Sequence, residues 1–356
     1  MTDFSSVRLG FVGLGNIAQL HAQRLHDVGL GNVVAGGVDI DPAAREAFNE
    51  EYGAVVYEQP ERLYETVDAV LVTTPNKFHE EYVVGALEAG LDVLVEKPLA
   101  NTVESAERIA DAAADAEGFC MVGFHNRFAN PVQALMGYEE KGTLGDITHV
   151  EADYIRRRGV PGRGSWFTRE PIAGGGSLID IGAHAIDLSL YLLGYPDVVE
   201  VSGETRAQFG TRDDYAYVTM WGEDHGADEF SVDDSASAFI RCADGSTVTL
   251  EVAWASNRPD SQQFYVRGDR AGAGLDLSDY SLELYETETT GVMHHRTSDI
   301  ETQDDDAHAT ELRRFIEAVA DGAAPETNTV AQALTVQRVM DAIYRSSENG
   351  RAVSLD

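Results

Sequence analysis

Three stretches of this chain hold residue types suited to acid–base or charge-stabilising chemistry. Glu96-Lys97-Pro98 places an ammonium directly after Asp92–Val95, an apolar run that reads as a buried strand. Gly174-Gly175-Gly176-Ser177 opens a segment that continues through Asp180, His184, Asp187 and Tyr191. At about 100° per residue those last four share one helical stripe, while Leu178, Ile181, Ala185, Leu188 and Leu192 form a separate apolar one. A carboxylate and an imidazole one turn apart suit an alcohol that loses its proton as its carbon gives up hydride, because histidine titrates nearest neutrality. An ammonium such as Lys97 can hydrogen-bond the reacting oxygen and stabilise developing alkoxide charge. An ordinary i,i+4 pair on a solvated helix face has the same spacing. The three glycines and Gly182, which costs about 1 kcal/mol against alanine inside a helix, argue for a close approach there.

The third stretch, Thr73-Thr74-Pro75-Asn76 followed by His79, also comes just after a strand-like run. His79 reads as a cofactor neighbour, with a satisfied structural histidine a close second. Upstream, Gly13-Leu14-Gly15-Asn16-Ile17-Ala18 follows the strand-like Val7–Val12 and opens a helix to about Val28. This is a G-x-G-x-x-A dinucleotide pattern in its required setting. Gly13 permits the tight turn, Gly15 lets backbone approach a pyrophosphate, and the helix start at Asn16 and Ile17 attracts phosphate. Asp39 ends the next strand. Its carboxylate can accept from adenosine ribose hydroxyls and would repel a 2′-phosphate, which predicts NAD over NADP. Capping of the following helix is the alternative role for Asp39.

Elements must hold these residues in place. Up to residue 126, short apolar strands alternate with helices, as in a doubly wound parallel sheet covered on both faces. Asp41-Pro42 starts one helix, and Asn101–Glu104 has the spacing of a capping box. From residue 127 the texture changes to α+β. Strands alternate between Val199 and Tyr285, Asp244-Gly245 marks a hairpin, and helices are predicted over 177–193, 310–321 and 330–347. The predicted organisation is a Rossmann domain over 1–126 and an α+β domain on a large, mostly antiparallel sheet over 127–356. The acidic clusters at 213–214, 223–229 and 304–306 read as solvated loops.

The 356 residues carry 61 acids against 26 bases, a formal net charge of −35, and only three of the bases are lysine (Lys77, Lys97 and Lys141). That charge argues against nucleic acid and anionic membranes as partners. Molar salt would screen its self-repulsion, so the composition points to a halophilic source; an acidic mesophilic protein leaves the missing lysines unexplained. Cys120 and Cys242 have no metal-type spacing and no metal site is expected. The start, MTDFSSVRLGFVG, lacks the features of an export signal, and no apolar run is long enough to span a bilayer, so a cytoplasmic protein is expected.

GFVGLGNIA, VTTPNKFH, AGLDVLVEKPLA, GFHNRF, GGGSLIDIGAHAIDLSLYLLG and HATELRRFIEAVADG together resemble the Gfo/Idh/MocA oxidoreductases over nearly the whole chain. The resemblance extends the inferred source to a halophilic archaeon. It implies that Lys97 sits at the nicotinamide and substrate oxygen, that His184 is the acid/base, and that Asp180 binds substrate or orients His184. It also implies that Thr74, Pro75, Asn76, His79, Glu96 and Arg127 line the cofactor cleft. The implied substrates are sugars, inositols or related polyols. The implied assembly is a homodimer or homotetramer formed through the C-terminal sheet. Five arginines fall between Arg156 and Arg169. Arg156 and Arg158 share a strand face and Trp166 offers a wall for a sugar ring, so this stretch serves either substrate or a subunit interface. Three activities fit: an NAD-dependent dehydrogenase, a reductase or NAD-dependent glycosidase on the same scaffold, or a non-catalytic sugar sensor. The joint presence of Lys97, Asp180 and His184 argues against the last.

Overall fold

The computed structural model describes residues 4, 6–218, 221–304 and 306–355. The chain forms two compact units, Met1–His125 with Asp306–Leu334, and Asn126–Asp305 with Thr335–Asp356. They differ from the contiguous blocks 1–126 and 127–356 because the late segment from Asp306 returns to the first unit. Arg24 explains part of that return: its guanidinium meets the Asp306 carboxylate at 2.9 Å.

In the first unit, β1 (Leu9–Val12), α1 (Asn16–Asp27), β2 (Val34–Val38), α2 (Pro42–Tyr52), β3 (Val55–Tyr57) and α3 (Pro60–Tyr64) precede β4 (Ala69–Val72). Then come α4 (His79–Glu88), β5 (Asp92–Val95), α5 (Val103–Asp115) and β6 (Cys120–Val122). The strands form a parallel sheet in the order β3-β2-β1-β4-β5-β6. β1 and β4 are buried at every position, as continuous apolar runs covered on both faces must be. The order reverses between β1 and β4, and in such sheets ligands collect at the strand ends beside that point. α2 starts at Pro42 as Asp41-Pro42 predicts, and the cap is Asp41, whose side chain accepts from the Ala43 amide, rather than Asp39. The cap of α5 lies one residue beyond the predicted box: Thr102 is extended, and its hydroxyl accepts from the Ser105 amide.

The second unit holds α6 (Asn130–Glu140), β7 (Ile147–Ile155), α7 (Glu170–Ala173), a π-helical turn (Leu178–Gly182) and α8 (Ala183–Leu192). β8 (Val198–Arg206), β9 (Ser235–Cys242), β10 (Thr247–Ala253), β11 (Ser261–Gly268), β12 (Ala271–Asp276), β13 (Ser281–Glu288) and β14 (His294–Asp299) follow. After α9 (Ala307–Asp321) of the first unit, α10 (Val330–Asn349) leads to β15 (Val353–Ser354). The sheet order is β14-β13-β12-β11-β7-β10-β9-β8-β15, antiparallel apart from the parallel β7–β10 pair. The β9–β10 hairpin turns where Asp244-Gly245 predicts it, with Gly245 at φ 92°. Alternate β7 and β10 residues, Val150, Ala152, Val248 and Val252, are buried. Glu151, Asp153 and Glu251 point the other way and line a shallow groove of ≈ 560 Å³ with Glu204. Among the described residues no helix is long and apolar enough to cross a membrane.

Candidate active site

The glycine-rich turn has the shape its sequence calls for. Gly13 sits at φ 87°, and a β-carbon there would come within 3.0 Å of the Thr74 methyl. A β-carbon on Gly15 would meet nothing within 4 Å. α1 starts at Gly15 with no side-chain cap and no acid in its first turn, so its first amides are available to an anion. Asn16 and Ile17 are exposed there, and the Thr74 hydroxyl oxygen is buried without a partner among the described residues. These features fit a dinucleotide pyrophosphate. Asp39 does more than cap. Its carboxylate accepts from the Leu14 amide at 2.7 Å, which fixes the glycine turn, and from the Asp41 amide at 2.8 Å. Arg45 lies closer than its place in α2 suggests: its guanidinium donates to the Asp39 carbonyl at 2.6 Å.

Lys97 is half-buried and follows β5. Its amide donates to one Glu96 oxygen at 3.2 Å, and the other Glu96 oxygen is 2.6 Å from His21 Nε2. His79 spans the carbonyls of Thr74 and Pro98, each at 2.9 Å, and so joins the Thr73–Asn76 loop to the turn after Lys97. Burial lowers its pKa, although both carbonyls work against that. His79 therefore ties the two turns together. Asn76 is buried as well, and Pro75 caps the short turn that Asn76 opens.

His21 lies outside every motif, although it falls in the Ala18–Ala22–Leu25 stripe that α1 buries, and His308 opens the HATELRRFIEAVADG segment. His308 stacks on His125 with ring centroids 3.5 Å apart and lies 5.9 Å from His21. Burial, helped by Arg24, brings the His308 pKa down to about 4. For Glu96, burial pushes upward, but the His21 hydrogen bond and the neighbouring cations bring it down to about 2. Both shifts make acid destabilising. Between pH 6.5 and about 4 the unfolded chain binds a proton that native His308 refuses. Between pH 4.5 and about 2 the same holds for Glu96. Melting temperature at fixed salt should therefore fall as pH drops through these windows. His308→Gln should reduce the slope in the upper window, and an unchanged slope there would contradict this assignment.

In the second unit, Asp233 organises the glycine segment. Its carboxylate accepts from the Gly176 amide (2.8 Å), the Ser177 hydroxyl (2.7 Å), the Leu178 amide (2.9 Å) and the Tyr344 hydroxyl (2.6 Å). This explains the glycines. A β-carbon on Gly176 would meet the Asp233 carbonyl oxygen at 1.8 Å, and one on Gly175 the Tyr344 hydroxyl at 2.0 Å. At Gly182 the close neighbour is Leu178 at 2.9 Å, with Val252 of β10 at 3.5 Å. Leu178–Gly182 is π-helical, which breaks the regular 100° stripe drawn through Asp180, His184, Asp187 and Tyr191. Asp180 stays half-buried, its Oδ2 accepting from the Trp254 indole at 2.9 Å, with Arg156 at 3.8 Å. His184 is buried at the start of α8. Trp254 and Asp233 are the site residues that spacing does not reveal, because their partners lie far away in sequence.

Asp187 belongs to a different arrangement. Arg127 is 0% exposed and donates to both Asp187 oxygens and to the Tyr195 hydroxyl, with the Tyr191 and Tyr195 rings about its guanidinium. Arg127 thereby neutralises a buried acid of the second unit. Arg127→Ala would strand Asp187 without its countercharge, at a cost of about 3–5 kcal/mol. Thermal unfolding should show a drop of several degrees, and a melting point matching the wild type would contradict the pairing.

The arginine stretch divides as well. Arg163 is buried by Asp224 and the carbonyls of Gly210 and Arg212. Arg169 pairs with Glu229 on the surface. Trp166 packs on Phe167 with centroids 3.7 Å apart, and Phe167 meets Trp221. The acidic clusters are correspondingly less free than a solvated loop: Asp224 holds Arg163, and Asp306 caps α9. Asp305 lies outside the described residues. No group of metal-binding residues is found among the described residues.

Residues 7–124 match the oxidoreductase family with an NAD-binding Rossmann fold, GFO_IDH_MocA, and residues 132–273 match the GFO/IDH/MocA C-terminal domain. The chain belongs to the GFO/IDH/MocA oxidoreductase family. Among its relatives is D-glucoside 3-dehydrogenase of Escherichia coli (strain K12), 33% identical over 99% of this chain and 98% of the relative. Another is a scyllo-inositol 2-dehydrogenase (NADP(+)) of Bacillus subtilis (strain 168), 27% identical over 82% of this chain and 79% of the relative. A solved levoglucosan dehydrogenase in complex with NADH shares the fold, with a TM-score of 0.83 at 22% identity over 98% of this chain and 99% of that one. This GFO/IDH/MocA member therefore has an NAD-binding Rossmann domain, and its relatives include sugar and inositol dehydrogenases.

Proposed function

We propose that the protein oxidises a hydroxyl group of a sugar, inositol or related polyol, with NAD preferred over NADP. The observation that carries this reading is Asp180, a carboxylate fixed by the Trp254 indole at 2.9 Å in the turn that leads into α8, where His184 is buried. A solvated surface pair would need neither the indole nor the burial. NAD supplies the hydride acceptor when bound. Lys97 hydrogen-bonds the reacting oxygen and stabilises negative charge on it. His184 takes the hydroxyl proton, and Asp180 orients the substrate or the imidazole. Asp39 favours NAD by meeting ribose hydroxyls with a carboxylate.

The composition further supports a protein that works in a concentrated-salt cytoplasm, where its charge of −35 is screened. Copies pairing through the sheet face that carries Glu151, Asp153, Glu204 and Glu251 would need the same screening.

The test is NADH formation from sugars, inositols, uronates and sugar phosphates in molar KCl. At least one polyol should reduce NAD. Intact NAD binding with no reduction by any of them would contradict the proposal, and full stability and activity in low salt would contradict the halophilic reading.

A further inference from the structure

The geometry points to a subsite for an oxyanion on the substrate, at the end of the sheet where β7 and β10 finish. This rests on the dehydrogenase reading and narrows its substrate to an anionic sugar, either a phosphate ester or a uronate. A pocket of ≈ 690 Å³ there is lined by Arg156, Arg157, Arg158, Asn257, Asp260 and Gln262, among others. Its lining holds three guanidiniums and one carboxylate, in a chain with 61 acids and 26 bases. Such a local reversal of sign concentrates anions against the field of the rest of the molecule.

The three arginines differ in what they offer. Arg158 is locked in place. One terminal nitrogen donates to the carbonyls of Arg157 and Ser256, each at 2.7 Å, and the other to Asn257 Oδ1 at 2.8 Å. Its guanidinium lies 4.5 Å from the Phe209 ring centroid. Three of its five N–H donors are thereby used and two remain. Arg157 is exposed, and its guanidinium has no hydrogen-bond or ion-pair partner among the described residues; its backbone is held, the amide by Asp260 at 2.6 Å and the carbonyl by the Ser256 amide and Arg158. Arg156 joins the pocket to the chemistry, with its guanidinium 3.8 Å from Asp180.

A fixed fork, an uncommitted guanidinium and a third one leaning on the site carboxylate form an oxyanion receptor, because guanidinium matches carboxylate and phosphate with paired donors. The neutral amides of Asn257 and Gln262 suit sugar hydroxyls. Orientation follows: the anionic end lies at Arg157 and Arg158, and the hydroxyl to be oxidised lies toward Asp180.

The test uses the full chain saturated with NAD, at one fixed KCl concentration. Calorimetric titrations compare inorganic phosphate, glucose 6-phosphate, glucuronate and glucose, and NADH formation is followed with each sugar. At least one anionic sugar should bind about ten-fold or more tightly than glucose. A preference for glucose 6-phosphate assigns a phosphate ester, and a preference for glucuronate assigns a uronate. Arg157→Gln should cut the anion affinity about ten-fold, and Arg158→Lys, which keeps the charge but loses the fork, should also weaken it. Glucose binding as tightly as both anionic sugars, no binding by any anion, or a preference that survives both substitutions would overturn the subsite. An anion preference without NADH from any sugar would instead contradict the dehydrogenase reading and leave the subsite standing.

Discussion

Lys97→Met should lower kcat/KM for sugar oxidation by about 10³-fold while leaving NAD affinity within a few-fold of wild type. The ammonium is asked to stabilise charge that develops on the reacting oxygen, and methionine keeps the length of the side chain without the charge. The turn should survive the change, because its anchors are the Lys97 amide on Glu96, Glu96 on His21, and His79 between two carbonyls. None of these uses the lysine side chain. Lys97→Arg should not rescue activity, since a planar fork cannot replace a compact ammonium at one oxygen. The composition makes the same point: where nearly every other cation is arginine, this position keeps lysine. Steady-state kinetics decide the matter, and a Met variant with more than about a tenth of wild-type kcat/KM would remove Lys97 from the chemistry.

Asp39→Asn should raise the ratio of kcat/KM for NADP over NAD by about 100-fold, equivalent to about 2.8 kcal/mol. The amide oxygen can still accept from the Leu14 amide, so the glycine turn is kept while the charge that repels a 2′-phosphate is lost. The cation to receive that phosphate is already nearby, because Arg45 donates to the Asp39 carbonyl at 2.6 Å. Arg45 lies one turn into α2, and its long side chain folds back to the strand end. A ratio that does not move would mean that Asp39 acts on the turn alone.

Local signals were legible in proportion to how local their physics is. Gly13, the helix opened by Asp41-Pro42 and the Asp244-Gly245 hairpin each depend on neighbours a few residues away, and each folds as its sequence suggests. The failures involve distant partners. Nothing near Asp187 announces Arg127, and nothing near Gly176 announces Asp233, because each partner lies about 60 residues away in sequence. The helix wheel failed for a further reason: five residues from Leu178 to Gly182 wind as a π-helix, which no periodicity of 3.6 describes. His21 was within reach, since a histidine in the buried stripe of α1 needs a partner, and Glu96 provides it. The unpredicted β3 and α3 are too short to establish a period.

The central claim is that a carbon-bound hydrogen of a polyol passes to NAD under the action of Lys97 and His184. The most direct measurement supplies a substrate sugar deuterated at its carbinol carbons and recovers the reduced cofactor for mass spectrometry. The account predicts reduced cofactor carrying one deuterium per turnover, with a slowed rate, from wild type, and a near-complete loss of that product from Lys97→Met. Reduced cofactor without deuterium, or equal yields from the two proteins, would contradict it.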